Sequence, residues 1–79
     1  MTSTFKNLYE IEPGEKAEIS GFTNENAEHK AARMGIFLGK IIKCVYKGKA
    51  VIIAMGYSNI ALDKSIARQI YIDKTFMHK

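Results

Sequence analysis

Apolar and polar side chains alternate with a period of two in short stretches of this chain, which is the pattern of half-buried β-strands. In the first stretch Ala17 and Ile19 lie between polar or charged neighbours, and in the last Ile70 and Ile72 do the same. We therefore expect these four side chains to face the core. With two runs rich in β-branched residues and one shorter run, the pattern predicts strands at residues 16–21, 40–46, 50–55, 59–62 and 69–73.

One stretch has helical spacing instead. Ala27, Ala31 and Met34 are four and three residues apart, so they form one stripe on a helix of about two turns. Residues 23–26 offer several N-cap side chains, and a helix this short is stable only when it packs on the strands. A second helical turn is predicted at residues 63–68, capped by Asp63 or by Ser65.

The helical spacing ends at residues 33–39, which we call the corner. Gly35 suits the left-handed position that closes a helix, and Ile36 would then pack back over Ala31 in a Schellman motif. Gly39, after Phe37 and Leu38, predicts a turn into the next strand. Elsewhere, Pro13-Gly14 predicts a type II turn and Lys47-Gly48-Lys49 a hairpin.

Five short strands with one short helix after the first predict a mainly β fold, a small antiparallel sheet closed into a partly open barrel. The 79 residues form a single domain, residues 1–79, with its core at about residues 5–73. Residues 2–7 are expected to be frayed and the tail, residues 74–79, to be loose.

Residues 50–55 carry no polar side chain on either face. This strand is therefore either covered on both sides or exposes one apolar row to a protein partner.

Composition narrows the classes of function. A single cysteine, Cys44, excludes an internal disulfide and a cysteine-rich metal framework, and the chain has neither a signal-peptide pattern nor an apolar run of about 18 residues. We therefore expect a soluble protein of the cytoplasm.

The net charge of +4 is unevenly spread along the chain, since residues 29–79 hold ten basic and two acidic groups. Such a basic surface either binds an anionic partner or keeps a small protein solvated.

The inventory of reactive side chains is small. His29, His78 and Cys44 have no metal-ligand spacing. An iron site of His29, Cys44 and a carboxylate is the alternative to a buried, apolar Cys44 and an exposed His29 on the helix. We expect no catalytic residues, no cofactor and no metal ligands, and hence no enzyme.

The order of these features resembles the FeoA family, small cytoplasmic accessory proteins of bacterial ferrous iron uptake with an SH3-like barrel. The resemblance spans about residues 5–73 and rests on segments that are individually common but together characteristic: residues 13–15, 33–36 with Gly39, 56–62 and 67–72. This chain has Leu38 where the family commonly has proline, so the corner is either looser than in the family or presents Leu38 outward. A weaker resemblance extends to the C-terminal barrel of metal-dependent repressors.

The resemblance implies an interaction protein that binds the FeoB ferrous iron transporter and modulates its transport or GTPase activity, without inserting into the membrane. From the residues, the binding surface is predicted at the corner, as an apolar centre with a basic rim. Its candidates are Arg33, Met34, Ile36, Phe37, Leu38 and Lys40. The alternative for Ile36 and Phe37 is that they plug the end of the barrel.

The rival functions are a small nucleic-acid-binding barrel and a stand-alone relative of the repressor barrel. Tyr46, Tyr57 and Tyr71 could stack on bases. Phosphates could be contacted by a run of basic residues that no acidic residue interrupts: Lys30, Arg33, Lys40, Lys43, Lys47 and Lys49. Aromatic and basic residues do not interleave on one face of a strand, however, so no nucleic acid is expected. The sequence does not determine the oligomeric state.

Overall fold

A computed structural model describes residues 5–73. The chain forms six strands, two α-helices and one 3₁₀ turn at Leu8–Glu10. The strands are β1 (Phe5–Asn7), β2 (Lys16–Phe22), β3 (Ile41–Lys47), β4 (Ala50–Met55), β5 (Ser58–Asp63) and β6 (Ile70–Asp73), and the helices are α1 (Glu25–Arg33) and α2 (Lys64–Ala67).

The six strands form one antiparallel sheet in the order β1-β6-β2-β3-β4-β5. The sheet is open, with β1 and β5 at its edges, and it confirms the prediction of a mainly β, SH3-like fold. β1 is the strand that the sequence did not predict, because three residues are too few to show a period of two. Residues 5–7 are therefore paired with β6 and not frayed, whereas the predicted loose tail, residues 74–79, lies outside the described residues.

One apolar core lies on the inner face of the sheet. Ala17, Ile19, Ile70 and Ile72 are all buried in it, as predicted. Helix α1 contributes small side chains that let it pack close to β2, and both are fully buried: Ala27 and Ala31. The outer row of β4, at Ala50, Ile52 and Ala54, is half-buried, an outcome between the two alternatives foreseen for this strand.

Both helices begin at a side chain that accepts a hydrogen bond from a first-turn amide. The Asn24 Oδ1 accepts from the Ala27 N–H at 2.8 Å, and the Asp63 Oδ1 accepts from the Ile66 N–H at 3.1 Å. Asp63 is thus the cap of α2. The other candidate, Ser65, donates its hydroxyl to the same Asp63 oxygen at 3.0 Å.

A β-bulge in β3 changes which side chains face inward. Cys44 pairs with Ile53, but Tyr46 pairs with Ile52 and Lys47 with Val51, so one extra residue lies between Cys44 and Tyr46. Without the bulge, Tyr46 would share the inner face with Cys44. With the bulge, Lys47 shares the inner face with Cys44.

Candidate interaction site

The corner begins where α1 closes in a Schellman motif. The Gly35 N–H donates to the Ala32 carbonyl at 3.0 Å, and the Ile36 N–H donates to the Ala31 carbonyl at 2.9 Å. Gly35 takes the left-handed conformation this closure requires, with φ +83°. The predicted packing of Ile36 back onto the helix end is confirmed, and it fixes the direction in which the chain leaves α1.

The corner then forms a second, exposed turn. The Lys40 N–H donates to the Phe37 carbonyl at 3.1 Å, and Gly39 has φ +85°, as in a type II turn. Two backbone hydrogen bonds of 2.9 Å tie the turn to β2, from the Gly39 N–H to the Ile19 carbonyl and from the Ile19 N–H to the Lys40 carbonyl. The backbone that carries Phe37 and Leu38 is therefore held on both sides.

The side chains at this turn divide into one buried and two exposed groups. Ile36 is completely buried, whereas Phe37 is 54% and Leu38 60% exposed. Ile36 therefore packs in the core, as expected if it plugs the end of the barrel. Phe37, for which the same alternative was open, lies outside.

Phe37 and Leu38 line a shallow groove of about 340 Å³ beside α1. The groove is lined by Phe22, Glu28, His29, Ala32, Ile36, Phe37 and Leu38. Its walls are mostly apolar, with one carboxylate and one imidazole at the exposed helix surface. This is a shape that accepts an apolar side chain from another molecule.

The other predicted residues lie elsewhere around the helix. Arg33 and Met34 line a separate depression, shared with Lys30 and the start of α2, because residues 28, 29 and 32 occupy one side of α1 and residues 30, 33 and 34 the other. Lys40 is exposed at the end of the turn. Of the six candidates, therefore, only Phe37 and Leu38 lie together on one accessible apolar surface.

Sequence reasoning missed the other surface residues that line this groove. Phe22 ends β2 beyond an irregularity in its pairing with β6 between Ile19 and Gly21, so a simple period of two does not show which way it points. Glu28, His29 and Ala32 are ordinary residues of an exposed helix face. The spacing of Glu28 and Ala32, four residues apart, was the available signal that they share a side with each other.

The proposed iron ligands are not brought together. Cys44 is completely buried in the core, as the apolar interpretation predicted, and its burial raises the pKa of its thiol. His29 is exposed on α1. Within residues 5–73, no three His, Cys, Asp or Glu side chains are grouped so that they could hold a metal ion.

The sequence of residues 6–74 matches the family model of the FeoA domain. No curated protein matches this chain. Neither helix in residues 5–73 has the length and apolar character that a bilayer-spanning segment needs.

Solved structures share the fold over most of its length. An iron uptake regulatory protein (FeoA) is 25% identical with a TM-score of 0.80, over 90% of this chain and 97% of that one. A FeoA-like protein from Clostridium acetobutylicum is 23% identical with a TM-score of 0.84, over 99% and 95% of the two chains. A manganese-dependent transcriptional repressor is 14% identical with a TM-score of 0.81, over 94% of this chain but 44% of its own, a likeness of fold alone. The family match covers nearly the whole chain, and the chain therefore belongs to the FeoA domain family.

Proposed function

We propose that this chain is a cytoplasmic accessory protein of ferrous iron uptake that binds the FeoB transporter and modulates its transport or GTPase activity. Membership of the FeoA family supports a role in iron uptake. The observation that carries the binding step is the exposed Phe37–Leu38 pair on a turn held to β2 by two backbone hydrogen bonds. Ion transport and GTP hydrolysis then belong to the partner.

The geometry of the turn suits recognition. A turn whose backbone is already held in place loses little backbone entropy when a partner covers it. Leu38 stands at the tip, and the groove behind it provides room for an apolar side chain of the partner. The exposed basic side chain of Lys40, at the end of the turn, would form part of the rim of the contact.

Leu38→Asp tests this interface directly. Full burial of a leucine contributes about 1.5–3 kcal/mol, so its loss should weaken binding by about 10- to 150-fold, and an unpaired carboxylate adds to the penalty. The measurement is co-purification and calorimetric titration of the variant with detergent-solubilised FeoB from the same genome.

Val45→Asp is the matched control. Val45 is 48% exposed at the bulge of β3, so the substitution introduces the same charge at a comparably exposed apolar position outside the corner. We expect the control to bind like the unsubstituted protein. Equal affinity of the Leu38 variant and the parent would remove the corner from the interface.

A further inference from the structure

Three basic side chains from two separate elements converge on one aromatic ring. The Lys47 Nζ lies 4.9 Å from the centroid of the Tyr9 ring, the Arg68 Cζ 5.3 Å and the Lys64 Nζ 5.7 Å. We call these four residues the Tyr9 cluster. A cation within about 6 Å of an aromatic centroid is attracted by the ring, so Tyr9 holds all three charges in one small region.

The fold assembles this cluster through identifiable features. Tyr9 lies on the 3₁₀ turn, against which α2 packs, and Lys64 and Arg68 are four residues apart on one side of α2 and its C-cap. Lys47 takes part because the β-bulge places it opposite Val51, on the inner side of the sheet. In a regular strand that position would belong to Tyr46.

Ion pairs within the described residues balance only one of the three charges of the cluster. Glu12 forms an ion pair with Lys47, with Oε2 and Nζ 3.7 Å apart. Neither Lys64 nor Arg68 has an ion pair within the described part of the chain, and the carboxylate of Asp63, which caps α2, is paired with neither of them. When only ion-paired carboxylates are counted, three cations and one carboxylate leave a charge of about +2 in the cluster, which an aromatic ring attracts but does not neutralise.

We propose that the Tyr9 cluster binds a phosphate group. A phosphate monoester carries about −1.5 to −2 charge at pH 7, which matches the uncompensated charge of the cluster. The guanidinium of Arg68 can donate two parallel hydrogen bonds to phosphate oxygens, and the two ammonium groups act as point charges around them. The phosphate comes from a soluble phosphate compound or from a lipid headgroup, two sources that share this chemistry.

Nuclear magnetic resonance titration of the chain with inorganic phosphate tests the site, with total ionic strength held constant by sodium chloride. We expect saturable shifts of the backbone amides of Tyr9, Lys47, Lys64 and Arg68. The double variant Lys64→Gln/Arg68→Gln should lower the affinity at least tenfold. Shifts equal to those produced by chloride alone would overturn the proposal.

The control is the double variant Lys40→Gln/Lys43→Gln, which removes the same charge from two exposed lysines outside the cluster. It should change the affinity for phosphate less than threefold. An equal loss of affinity in both double variants would show a non-specific effect of net charge and contradict a defined site.

Tyr9→Leu keeps every charge of the cluster but removes the aromatic ring, so it should also weaken phosphate binding. Unchanged affinity would show that the ring does not organise the cluster.

Vesicles separate the two sources of phosphate. Sedimentation with vesicles that contain phosphatidic acid, whose headgroup is a phosphate monoester, identifies a headgroup site if it depends on Lys64 and Arg68 and is absent with phosphatidylcholine alone. Binding of inorganic phosphate without such sedimentation identifies a soluble ligand, and binding of neither overturns the site. Because these experiments use the chain alone, their outcome is independent of whether the corner binds FeoB.

Discussion

At the scale of single residues, the corner shows how neighbouring apolar side chains acquire opposite roles. Ile36 follows the left-handed Gly35 and is directed into the core, while Leu38 occupies the tip of the next turn and is 60% exposed. Chemically these residues are nearly equivalent. Their separation depends on the two backbone hydrogen bonds that close α1 and on the turn that follows.

Alanine substitutions at these two positions should therefore differ sharply in stability. Ile36→Ala removes a fully buried side chain and should reduce the free energy of unfolding by about 2–5 kcal/mol, whereas Leu38→Ala should change it by less than about 0.5 kcal/mol. Urea unfolding followed by circular dichroism measures both. Similar losses for the two variants would mean that Leu38, like Ile36, supports the fold.

The corner was also where the sequence was most informative. Local backbone preferences, which depend on a few adjacent residues, predicted the turns at Gly35 and Gly39 and the closure of the helix over Ala31. They also predicted that Leu38 faces outward. The Tyr9 cluster could not be foreseen in this way. Its members come from three distant parts of the sequence. Lys47 belongs to the cluster because of the bulge in β3, and the local sequence pattern does not predict that bulge.

At the scale of elements, α2 is a single helical turn whose start depends on one side chain. Asp63 accepts hydrogen bonds from the Ile66 N–H and the Ser65 hydroxyl, and these bonds lower the pKa of its carboxyl below the ordinary 3.8. A carboxyl whose pKa is lower in the folded state adds stability above its unfolded pKa. That stability is lost as the pH falls through the folded value.

Asp63→Asn should reveal this contribution, because asparagine retains an N-cap oxygen but cannot ionise. We expect the parent protein to have the higher melting temperature at pH 6 and the difference to shrink as the pH falls below 3.8. Thermal unfolding at a series of pH values measures it. A difference that stays constant over this range would show that the charge of Asp63 does not stabilise α2.

At the scale of the whole molecule, the sheet order joins the two ends of the described chain. Strand β6 lies between β1 and β2, so the last strand in sequence completes the sheet around the first two. Alternation predicted β2 and β6 separately, but it could not predict that they pair. Alternation could not predict β1 for a similar reason, because β1 is recognised by its pairing with β6 and not by the pattern of its own three residues.

This arrangement predicts a graded pattern of amide hydrogen exchange. β6 is flanked on both sides and carries the buried Ile70 and Ile72, so its hydrogen-bonded amides should exchange only when the whole domain unfolds. β1 is an edge strand of three residues and should open locally, with protection at least about tenfold lower. β5 provides the comparison, because it is also an edge strand but pairs with β4 along six residues.

Native-state exchange measured at increasing denaturant distinguishes the two kinds of opening. The exchange free energies of β2 and β6 should fall with denaturant at the slope of global unfolding, and those of β1 should be nearly independent of it, because local opening exposes little surface. β5 should lie between them. Protection in β1 equal to that in β6 would place residues 5–7 inside the cooperative core, and truncation before β2 would then unfold the domain instead of trimming its edge.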